Sequence, residues 1–149
     1  MYLKKFNEYA GNEFIQFSQL IGKIIDNIYI NIDKTILTFL CDDKKYYSYQ
    51  SHNDCCNQVW YSHLNGIDFI IHQRINKVES KNWKDVDESN YEAQQVYEES
   101  CIWTLYTNRG CFDIELRNSH NGYYGGNITD PDITDNIDMS QFTELYDDI

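Results

Sequence analysis

The chain is short of the residues that break or bind a backbone in recognisable ways. It has one proline, Pro131, and only seven glycines in 149 residues. A collagen-like, linker-rich or low-complexity chain is therefore excluded. No apolar run approaches the roughly 18–20 residues that a membrane span needs. The opening segment MYLKKFNEYAGNEF carries two lysines with no long apolar core behind them, which is not a secretory signal. Neither GxxxxGK[ST] nor GxGxxG occurs, so the common phosphate-cradling loops are missing. Five cysteines is an odd number, and Cys55 and Cys56 are neighbours, so no disulfide framework is visible. The reading is a reduced, cytoplasmic protein. Basic residues stop at Arg117, and Asp85–Glu99 has six acidic residues and no base.

What is present is aromatic and acidic. Hydrophobic residues make up 42% and aromatics 15%, with thirteen tyrosines. That composition argues against disorder and suits strands and contact surfaces. A chain of this length is one domain with a core of its own. The net charge is −12, and the seven acidic residues from Asp130 to Ile149 stand without a base. Such a chain repels phosphate backbones and anionic lipid. The charge is either a solvated surface or one shaped for a basic partner.

Periodicity predicts a short helix over about residues 12–22, capped by Asn12, stopped by Gly22 and burying Phe14, Phe17 and Ile21. From Lys23 the pattern alternates, with Ile24, Ile28, Ile30 and Ile32 in phase. Turns at Asp33-Lys34 and Asp42-Asp43-Lys44 then make a three-stranded meander with Thr35–Cys41 and Tyr46–Ser51. Gln58–His72 is ambiguous, and Val59, Trp60, Leu64, Ile67 and Ile71 fit a helix interrupted at Gly66. Ile75–Trp83 reads as a strand, and Asp85–Glu99 as a loop or short exposed helix. A hairpin follows. Cys101, Trp103 and Leu105 share one face, as do Phe112, Ile114 and Leu116, and Asn108-Arg109-Gly110 suits a three-residue turn with an αL glycine. The expectation is an α+β fold: one domain, 1–128, dominated by a curved antiparallel sheet of five or six strands (about 23–118) with one or two short helices. A loop at 118–126 and an acidic tail, 129–149, complete it.

Two constellations could carry chemistry. Ser51-His52-Asn53-Asp54-Cys55-Cys56 gathers an imidazole, a carboxylate and two thiols. Zinc sites space their cysteines two to four apart, and neighbouring residues in a strand face opposite ways, so a metal is not expected. A thiol nucleophile paired with His52 and oriented by Asp54 is one reading; a core cysteine beside a hydrogen-bonded turn is the other. In the second block, His120-Asn121-Gly122-Tyr123-Tyr124-Gly125-Gly126, the glycines permit positive φ and close backbone approach. Its tyrosines either pack a structural turn or meet a ligand or partner.

Taken together, His52-Asn53-Asp54-Cys55-Cys56, the strand Trp103-Thr104-Leu105-Tyr106, and Asn121-Gly122-Tyr123-Tyr124 resemble a family of small uncharacterised proteins from tailed phages and some bacteria. That family pairs a His and Asp-Cys-Cys block with a TWTFY-like strand and an SNGYY-like block. The resemblance spans roughly residues 20–128. His120 stands where the family has serine, and Leu105 where it has an aromatic. The resemblance implies phage origin and a compact domain, and names no reaction.

The functional expectation is a non-enzymatic accessory protein in the cytoplasm of a bacterial host cell, with no cofactor. It would inhibit a defence system in the manner of an anti-CRISPR protein, by occupying a basic nucleic-acid-binding surface on a host protein rather than nucleic acid itself. Asp85, Asp87, Glu88, Asp130, Asp132, Asp135 and Asp138 are the expected contacts, with Tyr123 and Tyr124 as anchors. One alternative is a binder of a nucleotide signal using the NGYYGG loop. The other is an enzyme using His52, Asp54 and Cys55 or Cys56.

Overall fold

The computed structural model describes residues 15–53, 57–81, 83–86, 97–120 and 126–149. The strands in chain order are Ile25–Asn31 (β1), Ile36–Cys41 (β2), Tyr46–His52 (β3), Gln58–Asn65 (β4), Lys77–Ser80 (β5), Lys84–Asp85 (β6), Tyr97–Thr107 (β7), Gly110–His120 (β8), Asn127–Ile128 (β9), Asp132–Thr134 (β10) and Phe142–Glu144 (β11). They form two antiparallel sheets. One runs β10-β3-β2-β1-β11, with β9 also on β3; the other runs β4-β8-β7-β5, with β6 also on β7. The fold is mainly β, which corrects the α+β expectation of a single curved sheet.

Alternation explains the packing. Leu37, Phe39 and Cys41 on β2 and Tyr47 and Tyr49 on β3 point inward, as do Trp103 and Leu105 on β7 and Phe112, Ile114 and Leu116 on β8; all are buried. The two sets share one core. Phe17 plugs it, with its ring 4.4 Å from Tyr49 and 5.7 Å from Trp103. Two hydrogen bonds cross between β3 and β4: Tyr61 Oη donates to the Tyr49 carbonyl at 2.8 Å and Ser51 Oγ to the Val59 carbonyl at 2.8 Å. The meander appears as expected, with Lys34 and Lys44 taking the positive φ of its two turns.

Other expectations change. Phe17 has φ +71, which breaks an α-helix, and Ser18–Leu20 is a 3-10 turn. That turn buries Phe17 with Leu20 and leaves Ile21 48% exposed; Asn12 and Phe14 lie outside the described residues. A bulge between Ile25 and Asn27 moves the inward phase from Ile24 to Ile25, and Ile32 becomes an exposed turn tip. Gln58–Asn65 is strand, and the helix shrinks to Ile67–Ile70 (α1). The hairpin turn has two residues, since Gly110 pairs with Thr107.

The segment set apart as an acidic tail adds β10 and β11 to opposite edges of the first sheet. Thr134 lies opposite Tyr46 at one corner, and Phe142 opposite Asn31 at the far corner. Between them, Met139–Gln141 forms a 3-10 turn capped by Asp138. Thr38 and Tyr29, which point outward from the first sheet, are buried.

Candidate functional site

The described residues that flank two of the motif blocks and the acidic segment meet at one end of the sandwich. Gln58 pairs with Ser119, Tyr97 with His120, and His52 with Asn127. His52, Gln58, Tyr97, His120 and Asn127 therefore lie at this end. Asp54, Cys55, Cys56, Asp87, Glu88, Asn121, Gly122, Tyr123 and Tyr124 lie outside the described residues. Their described neighbours form a polar file. Asn53 Nδ2 donates to the Asn57 carbonyl at 3.0 Å, Asn57 Nδ2 to Asn118 Oδ1 at 2.9 Å, and Asn118 Nδ2 to Glu99 Oε1 at 3.0 Å. His120 Nε2 lies 3.7 Å from the same Glu99 oxygen. Asn57 and Asn118 are buried, so the file is a fixed polar floor under the motif-bearing end. His52 is exposed at the end of β3.

A second site lies on the outer face of the second sheet. Register shifts between Tyr61 and His63, so Ser62 is an extra residue and both Ser62 and His63 meet Glu115 on β8. Ser62 Oγ donates to Glu115 Oε1 at 2.6 Å, and His63 Nδ1 lies 2.6 Å from that oxygen. Arg117 Nε is 3.5 Å from it, and Arg117 Nη1 3.5 Å from Glu98. Burial pushes the Glu115 carboxyl up, but the hydrogen bonds from Ser62 and His63 and the Arg117 charge outweigh it, leaving the group below its ordinary range. With Glu115 ionised, Nδ1–H of His63 donates and Nε2 is left for another partner. These side chains line a cleft of about 350 Å³ with Asn65, Ile102 and Asp113, walled by Asp148 and Ile149.

The wall is anchored. Asp148 Oδ1 accepts from the Gly66 and Ile67 amides at 2.8 and 2.9 Å, and Ile149 exchanges two 2.9 Å backbone bonds with Leu64. The cleft was missed in the sequence, although a signal existed. The apolar phase of β4 slips from Val59 and Tyr61 to Leu64, as a bulge requires.

The expected acidic contacts separate. Asp130, Asp132, Asp135 and Asp138 are exposed around the first sheet, whereas Asp85 sits on β6 at the second. Asp135 pairs with Lys45, and Asp138 accepts from the Ser140 amide at 3.1 Å. Burial pushes the Cys41 and Cys101 thiols up to about 12. Among the described residues no cluster of three or more His, Cys, Asp or Glu is placed to hold a metal ion, and no helix is long and apolar enough to cross a membrane.

A family model described as a domain of unknown function (DUF7448) matches residues 18–129. No curated protein and no solved structure matches the chain.

Proposed function

The chain belongs to the DUF7448 family, and we propose that it works by binding a protein with a basic surface of the kind that handles nucleic acid. One observation carries the reading. The acidic segment is built into the first sheet through β10 and β11, so its carboxylates sit at set positions rather than on a free tail. Fixed charge complementarity speeds encounter and selects the partner. The narrower form, a non-enzymatic phage-type inhibitor of a host defence system in the bacterial cytoplasm, is supported by the motif resemblance.

The test is capture from host lysate at rising salt, with the wild-type chain and an Asp130/Asp132/Asp135/Asp138→Lys variant. The expected outcome is one basic nucleic-acid-handling partner, released by salt and lost in the variant, with the melting temperature little changed. Equal capture by the variant removes the charge-based reading.

A second reading, a small-molecule binder, is favoured by the cleft beside His63. Glu115, Asp113 and Asp148 outnumber Arg117 there, which points to a neutral or cationic ligand rather than a nucleotide anion. A thermal-shift panel of nucleotides against amines and neutral metabolites separates these classes.

A further inference from the structure

The last twenty residues touch both sheets yet contribute little to the core. β10 and β11 hold the first sheet by three register pairs each, extended by the Thr129–Gln50 and Leu145–Ile28 backbone bonds. Lys45–Asp135 and Asn27–Glu144 add side-chain links. On the second sheet the attachments are the Asp148 cap and the two Leu64–Ile149 bonds. Leu145 is buried, and Ile149 packs partly against the core. Short ladders at sheet edges with few buried apolar side chains are the parts of a fold that open without global unfolding. The family match ends at residue 129, just before this segment.

We infer that residues 130–149 are a detachable clamp that opens as one unit and is released when a basic protein surface takes its carboxylates. The partner half of this inference rests on the binding reading above; the clamp half does not. Opening has two consequences at once, because the chain is continuous. Removing β10 and β11 uncovers both edges of the first sheet, β3 on one side and β1 on the other. Removing Asp148 and Ile149 takes away a wall of the His63–Glu115 cleft on the second. Those two surfaces lie on different sheets, and the clamp couples them. The carboxylates that a basic partner would attract, Asp132, Asp135 and Glu144, lie on the clamp's own strands and the segment between them. Contact with them competes directly with Lys45 and Asn27.

Hydrogen exchange of the full chain, read at single amides, tests the clamp half. The amides of Thr134, Leu145 and Ile149 are expected to share one exchange rate, at least about tenfold faster than the inner amides of β7 and β8. An Asp148→Ala variant is expected to speed all three together and leave β7 and β8 unchanged. If the three match the β7–β8 rate, the clamp does not detach; if Asp148→Ala speeds only Ile149, it is not one unit. Either result overturns the inference. Poly-lysine, with poly-glutamate as control, tests the partner half. Binding that accelerates Ile149 as well as Thr134 supports release, and binding that slows them overturns it. If poly-lysine does not bind, the basic-partner reading falls, while the exchange pattern still decides the clamp.

Discussion

Gly66 shows how much one residue decides. Its φ is +105, and a Cβ there would lie 2.3 Å from the Cys111 carbonyl oxygen, a backbone atom that cannot swing away. Gly66→Ala is expected to cost about 2–4 kcal/mol in denaturant melts, from strain and displacement together. The same amide is capped by Asp148, so the loss should also loosen the segment that walls the cleft. At Glu115 the folded-state carboxyl is held below its ordinary value of 4.5. Its stabilisation is complete above that value and is lost as pH falls through the folded one. Glu115→Gln should therefore flatten the acid limb of the stability–pH curve, as seen in melts below the ordinary glutamate range. Of the described thiols, Cys111 is exposed and Cys41 and Cys101 are buried. Thiol labelling of the native chain should modify Cys111 and reach the other two only on unfolding.

Elements differed in how openly the sequence declared them. The β7–β8 hairpin was legible because both arms alternate and Trp103, Leu105, Phe112, Ile114 and Leu116 on the inward phase are large and apolar. The meander was legible for the same reason. The N-terminal helix misled because Phe14, Phe17 and Ile21 have helical spacing, and periodicity carries no information on the left-handed backbone that Phe17 adopts. Gln58–Asn65 misled because its bulge breaks the two-residue period and leaves 59, 61 and 64 looking helical. The polar file through Asn57, Asn118 and Glu99 was invisible, since it joins residues far apart in sequence and only the pairing of β4, β8 and β7 brings them together. The bulge also supplies a test. Deleting Ser62 leaves Tyr61, His63 and Leu64 in unbroken alternation, so the fold should survive with a loss under about 1.5 kcal/mol. The Glu115 carboxyl should rise toward its ordinary range as the Ser62 hydrogen bond goes, which an NMR titration reads directly.

For the whole molecule, two sheets over one core leave the charge on faces and edges. The imbalance of −12 could be read from composition, but its division between the two sheets could not, because it follows from which edges β6, β10 and β11 occupy. Long-range attraction of a basic partner should therefore depend on the first sheet's edge far more than on Asp85. The Asp130/Asp132/Asp135/Asp138→Lys variant should lose capture, whereas Asp85→Lys alone should change it little.

Those same edges bear on how copies of the chain treat each other. An open sheet offers unpaired backbone groups to any neighbour, and this one ends in three-residue strands carrying Asp132 on one side and Glu144 on the other. At neutral pH two such borders repel, which keeps molecules from zipping edge to edge. Replacing Asp132 with Asn and Glu144 with Gln would remove that repulsion and leave exposed Ile133 in the border. The template would then stand without its guard, so fibre-like aggregation is the behaviour expected of that variant.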